Sequence, residues 1–274
     1  MNHTLELGAG RSLFMRRWGK GPAVVLIHGA LVTHSDWPID LLTWLAERAT
    51  VHVLDRPSHG ESERLRFAAA PPLQARQIYE GLVKLNVGPA LVVAHSFGGL
   101  VALSLAEQFP SAVSGLVLVS PMCFPDVRPM EHTLFAPRSA PLVGPLISSA
   151  YAATVDPLIL RAAQILMFSP QRPPSAWLRA YPYASVLTPS HMLEEGEDAA
   201  TIASISALVN FSQIAAPAEI LVGSRDIVCR PERHGVRAAR LLPHAALTRL
   251  EGVGHMVHHV AGKAVQRSIS HFIE

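Results

Sequence analysis

Lysine is almost missing: Lys20, Lys84 and Lys263 are the only ones, and the rest of the positive charge is arginine. With 23 basic and 21 acidic residues the formal charge is +2, and arginines such as Arg16, Arg64, Arg161 and Arg237 form no block. Without a basic stripe there is no electrostatic footprint for a nucleic-acid partner. Cysteine is equally scarce. Cys123 and Cys229 are too few for a disulfide framework and too far apart for a C-x-x-C metal or redox motif, so a reduced, cytoplasmic setting is expected. Only 16% of residues are charged, yet neither long apolar stretch reads as a membrane span. Residues 90–106 hold His95, Ser96 and the Gly98-Gly99 pair, and residues 139–168 are broken by prolines, Asp156 and Arg161. The opening MNHTLELGAG lacks the basic-then-apolar order of a signal peptide.

What the chain does have is alternation. PAVVLIHGA (22–30), ATVHVLDRPSHG (49–60), PALVVAHS (89–96), VSGLVLVSP (113–121), PAEILVGSRD (217–226) and AALTRLEGVGH (245–255) are apolar runs rich in branched residues. Such runs mark strands buried on both faces. Helical patterns lie between them at about residues 36–48, 72–86, 97–109, 232–241 and 258–273. Strands alternating with helices predict a parallel sheet covered on both sides. HTLELG and SLFMRRWG at the start read as an antiparallel edge hairpin. The rhythm stops from Pro121 to about Ile214, where prolines and short helical patches replace strands. That interval is too long for an ordinary connection and predicts an inserted helical subdomain. The expected division is a core of residues 1–120 and 215–274 with an insertion at 121–214.

Ser96 falls where the strand ending at His95 turns directly into a helix. Small neighbours, Ala94, Gly98 and Gly99, leave room for so abrupt a turn, which matches the G-x-S-x-G nucleophile elbow with alanine in its first position. A helix N-cap is the competing role for a serine at that place. A serine nucleophile needs a base oriented by a third group. His255, on the turn after the last strand, supplies the base. Asp226, after the preceding strand, supplies the acid, with Asp126 as its rival. His258 and His259 lie close by in H-x-x-H-H, which lacks the spacing and acidic partner of a zinc motif, so they read as solvated residues at a helix start. No metal is expected.

The order Ser96, Asp226, His255, together with these motifs, resembles the α/β-hydrolase family in its helically capped form. LIHGA (26–30) resembles that family's His-Gly oxyanion loop. DRPSHGES (55–62) resembles its D-R-P-G-H-G-x-S loop, with Ser58 where glycine is usual. The G-x-x-D turn ending at Asp226 and the G-x-G-H turn ending at His255 complete the set, which spans residues 22–120 and 217–274. The resemblance implies a mostly parallel, doubly covered eight-stranded α/β sheet with an inserted helical cap. It also implies an oxyanion hole formed by the backbone N–H groups of Ala30 and Phe97. His28, Asp55, Arg56 and His59 read as loop architecture.

The insertion should roof Ser96 and choose the substrate. Trp37, His95, Met122, Phe124 and Met256 lie beside the catalytic turns in sequence and are the expected pocket walls. No cluster of arginines suited to a phosphate or carboxylate is visible, so a small to medium apolar substrate is expected. The favoured activity is cofactor-free hydrolysis of a carboxylic ester through an acyl-enzyme. The same residues could serve C–C bond, lactone or thioester hydrolysis, perhydrolysis or a lyase reaction, or a hydrolase-like protein that only binds its ligand. A small-molecule partner is expected, in a monomer or homodimer.

Overall fold

The computed structural model describes residues 2–126, 128–204 and 208–274. The parts of the expected core and insertion that fall on residues 1, 127 and 205–207 lie outside the described residues. Eight strands form one sheet: β1 (Asn2–Gly8), β2 (Arg11–Gly19), β3 (Ala23–Ile27), β4 (Thr50–Leu54), β5 (Ala90–His95), β6 (Val113–Val119), β7 (Ala218–Gly223) and β8 (Ala245–Leu250). Their spatial order is β1-β2-β4-β3-β5-β6-β7-β8. The pairs β1/β2 and β2/β4 are antiparallel, and every later pair is parallel.

Side chains alternate across the central strands with a period of two. Val25, Ile27, Val92 and Ala94 face helices α2 (Pro71–Lys84), α3 (Phe97–Gln108) and α10 (Gly235–Leu241). Val24, Leu26, Leu91 and Val93 face α1 (Ile39–Ala46) and α12 (Gly262–Ile273). Both sheet faces are therefore dry, which is why these strands read as unbroken apolar runs. The edge strand β8 is mostly exposed.

Between β6 and β7 the chain forms α4 (Pro129–Leu134), α5 (Gly144–Ala152), α6 (Asp156–Phe168), α7 (Ser175–Ala180), α8 (Tyr183–Val186) and α9 (Pro189–Ile202). Within this insertion Arg138 and Asp156 form a buried bidentate ion pair at 2.9 and 2.5 Å. Phe168, Trp177, Tyr181 and Val186 pack with Val32 and Met256 of the sheet's loops. Among the described residues, no helix is long and apolar enough to cross a membrane.

Helix α9 docks through acids as well as through the buried Met192, Ala199 and Ile202. The buried Asp198 accepts from Arg56 Nη1 at 2.7 Å, Arg64 Nη1 at 3.0 Å and Gln74 Nε2 at 3.0 Å. Glu197 accepts from Arg64 at 3.1 Å and from Arg66 at 2.9 Å. Removing one member of such a network leaves a charge buried without its counter-ion. Asp198→Ala, measured by urea unfolding, should lose about 3–5 kcal/mol. A loss below about 1 kcal/mol would show that the network contributes little more than an exposed salt bridge.

Candidate active site

The turn from β5 into α3 places Ser96 at φ +53°, in the left-handed region that a non-glycine residue adopts only at a cost. Close packing enforces the bend. A Cβ on Gly98 would lie 2.6 Å from the His28 carbonyl oxygen, and one on Gly99 would lie 2.7 Å from Pro121 Cβ. The Ser96 side chain makes no N-cap hydrogen bond to α3. Its Oγ lies 2.9 Å from His255 Nε2 instead. His255 Nδ1–H donates to Asp226 Oδ2 at 2.8 Å, leaving Nε2 as acceptor for the serine hydroxyl. Asp226 is held in turn, because its Oδ1 accepts the backbone N–H groups of Val228 and Cys229, both at 2.8 Å. Asp126 is engaged elsewhere, 2.7 Å from Arg233. All three of Ser96, Asp226 and His255 are buried.

Ala30 and Phe97 flank Ser96 on the wall of a cavity of about 440 Å³ that His255 also lines. Among the described residues neither their N–H group nor that of Ala30's loop neighbour Gly29 has an intramolecular backbone acceptor outside regular elements. His28 holds the loop: its Nδ1–H donates to Gly29 O at 2.8 Å and its Nε2 accepts the Arg56 N–H at 2.9 Å. Burial, and then the nearby Arg56 charge, keeps the His28 pKa well below the usual imidazole range. Asp55 accepts the backbone and ring N–H groups of His34 at 2.7 and 2.9 Å. Ser58, where the related loop carries glycine, has φ +74°, the conformation that makes glycine the usual choice there.

Of the five expected pocket walls, only Met122 lines the cavity. Trp37 instead packs in the sheet core, its ring 5.2 Å from that of His258. Phe124 stacks on Phe211 at 4.8 Å, with Arg237 4.1 Å over its ring. Met256 is enclosed among Phe168, Trp177 and Tyr181. His95 points away from the cavity toward His255 and His258, at ring separations of 4.8 and 4.3 Å. Each lies near the site in sequence, but its side chain is turned into packing elsewhere. The cavity's apolar wall comes largely from the insertion, including Phe135, Leu166, Met167 and Ile202.

His258 and His259 are not solvated. Their Nε2–H groups donate to the buried Asp36 at 2.9 and 3.1 Å, and Trp177 Nε1–H donates to the same carboxylate at 2.9 Å. Burial alone would raise the Asp36 pKa, but the charge and hydrogen bonds of His258 and His259 hold it well below the carboxylate range. Burial, then the neighbouring His259, lowers His258 to about 4. Burial, then His258 and His255, lowers His95 as well. Asp36, His95 and His258 present donor atoms within 4.8 Å of one another, as do His59, His191 and Glu195. In the first group three N–H donors already engage the carboxylate. In the second the Arg56 guanidinium stands 2.9 Å from His59 Nε2, where it would oppose a cation.

Sequence reading also passed over several groups close to the site. Cys229 Sγ lies 4.0 Å from Ser96 Oγ, and burial pushes its thiol up to about 12, so it stands as a neutral neighbour rather than a rival nucleophile. Arg128, Arg230 and Arg233 converge on the cavity wall with Asp126 and Glu131, contrary to the expectation of no arginine cluster. Arg128 lies far along the chain from the other two, which hides that cluster. Arg128 is paired with Glu131 and Arg233 with Asp126.

Comparison with known proteins follows the same pattern. Residues 24–266 match the model of the alpha/beta hydrolase family. The chain is 30% identical over 272 residues to the magnesium-chelatase 30 kDa subunit of Rhodobacter capsulatus, covering 93% of this chain and 87% of that one. It is 36% identical over 109 residues to the pimeloyl-[acyl-carrier protein] methyl ester esterase of Chromobacterium violaceum, covering 40% of this chain and 41% of that one. Among solved structures, an esterase from Exiguobacterium antarcticum superposes with a TM-score of 0.79 at 17% identity, covering 100% of this chain and 99% of that one. With the family model matched across both halves of the sheet and the insertion between them, the chain belongs to the alpha/beta hydrolase family.

Proposed function

We propose that the protein is a serine hydrolase that cleaves a carboxylic ester through an acyl-enzyme. The observation that carries this reading is the continuous hydrogen-bonded relay from Ser96 Oγ through His255 to Asp226, with links of 2.9 and 2.8 Å. His255 takes the Ser96 proton as Oγ adds to the ester carbonyl and returns it to the leaving alcohol. Water then repeats the sequence on the acyl-serine. Asp226 holds the ring in the required tautomer and stabilises the imidazolium. The N–H groups of Ala30 and Phe97 receive the developing oxyanion, where one such donor contributes about 2.7–4 kcal/mol.

The cavity of about 440 Å³ suits a small to medium substrate, with its apolar part against Met122, Leu166 and Met167. The insertion acts as a cap, supplying these walls and excluding water. The partial match to a methyl ester esterase is consistent with ester chemistry. Screening short and medium aryl esters beside thioesters, lactones and β-diketones tests the bond type. Turnover confined to a class other than esters would replace the ester reading.

Ser96→Ala should reduce ester hydrolysis by about 10⁶ and abolish labelling by a fluorophosphonate probe, with the fold retained by circular dichroism. Retention of a tenth of the activity would place the nucleophile elsewhere. Asp226→Asn should lower kcat by about 10⁴ through the wrong imidazole tautomer, whereas Asp126→Asn should change kcat less than tenfold. Steady-state kinetics giving the opposite ranking would move the acid to the end of β6.

A further inference from the structure

Leu31 directly follows Ala30 and adopts φ +57°, a left-handed conformation in which a branched side chain is strained. Something must hold it there, and both of its backbone polar groups are held from the insertion. Its N–H donates to Glu195 Oε1 at 2.6 Å. Its carbonyl oxygen accepts the Tyr181 hydroxyl. Glu195 comes from α9 and Tyr181 from the segment between α7 and α8, so two separate parts of the insertion grip the two peptide units on either side of one residue. Both side chains are buried. Glu195 Oε1 also lies 3.1 Å from His59 Nε2 and 3.5 Å from His191 Nε2, inside a buried polar cluster that its withdrawal would open while stranding the Leu31 N–H. Its carboxylate also lines the cavity beside Ala30.

We propose that Glu195 and Tyr181 are positioning residues that set the oxyanion hole from the insertion, so that docking of the insertion completes the reaction site as well as roofing it. This rests on the reading of the Ala30 and Phe97 N–H groups as oxyanion donors. With Leu31 clamped on both sides, the Ala30–Leu31 peptide is fixed, and through Ala30 it orients the adjoining Gly29–Ala30 peptide, so the Ala30 N–H keeps its direction. With either clamp lost, the strained residue relaxes and the donor drifts. A hole that is preorganised costs nothing to arrange at the moment of reaction, and one that drifts must be reordered each time.

The test compares Glu195→Ala, Glu195→Gln and Tyr181→Phe with the parent protein. Readouts are kcat and KM for an aryl ester, the unfolding temperature, and inhibition by two probes. A trifluoromethyl ketone adds Ser96 Oγ to its carbonyl carbon and places an oxyanion in the hole. The corresponding secondary alcohol fills the cavity without forming that bond. For Glu195→Ala and Tyr181→Phe, kcat should fall roughly ten- to a hundredfold, less than deletion of an oxyanion donor. KM and alcohol affinity should stay within about threefold, and ketone affinity should fall in step with kcat/KM. Glu195→Gln keeps an oxygen acceptor for the Leu31 N–H and should recover most of the loss. Tyr181→Phe keeps the ring in place and decides the matter if Glu195→Ala fails to fold. Unchanged kcat in folded Tyr181→Phe, or equal losses of ketone and alcohol affinity, would overturn the proposal and leave the two residues as fasteners of the insertion. A parent protein that neither turns over esters nor binds the ketone would instead overturn the serine-hydrolase reading itself.

Discussion

The buried guanidinium of Arg56 joins the parts on which the site depends. It has no exposed surface, and it donates to Asp198 at 2.7 Å, Gln74 at 2.9 Å and the Gly29 carbonyl at 3.2 Å. Its carbon lies 4.6 Å over the ring of Phe97, the residue after the proposed nucleophile. One side chain therefore touches the loop after β3, the elbow and the insertion's last long helix. A charge so far from water persists only where a counter-ion is in contact with it. The acid of α9 meets that requirement, so the position of the insertion and the shape of the loop beneath it are settled together.

Around that cation the other polar groups fall into two layers. Nearest the cavity are Ser96, His255 and Asp226, linked in line. Behind them Asp36 collects N–H donors from His258, His259 and Trp177, fastening the turn that carries His255 to the insertion on its other side. Beside this carboxylate, burial lowers the pKa values of His95 and His258, which stay neutral near pH 7. They can fill hydrogen bonds there without adding positive charge beside the relay. The wall facing a substrate is apolar toward the insertion, with ion-paired arginines and acids contributing to the same cavity.

The sheet was legible in the sequence because burial on both faces leaves unbroken apolar runs, and strand ends fall where glycine, serine and aspartate interrupt them. The elbow was legible because the close approach of Gly98 and Gly99 to neighbouring backbone permits no side chain. The pocket was not. Trp37, Phe124 and Met256 sit a few residues from the turns of the proposed site, but proximity along the chain does not say which way a side chain points. The acids of α9 fared worst: Glu195, Glu197 and Asp198 look like a solvated helix face until Arg56, His59, Arg64 and Arg66 are brought against them by the fold. The same holds for the Leu31 clamp, whose partners are 150 and 164 residues away.

The central claim is that Ser96 becomes covalently acylated. Incubation with a slowly released aryl carbamate, followed by intact-mass measurement and peptide mapping, tests it most directly. The account predicts one carbamoyl group per chain, located on Ser96, with ester hydrolysis lost in proportion to its incorporation. A carbamoyl group carried by Cys229 or any other side chain as activity disappears would contradict it.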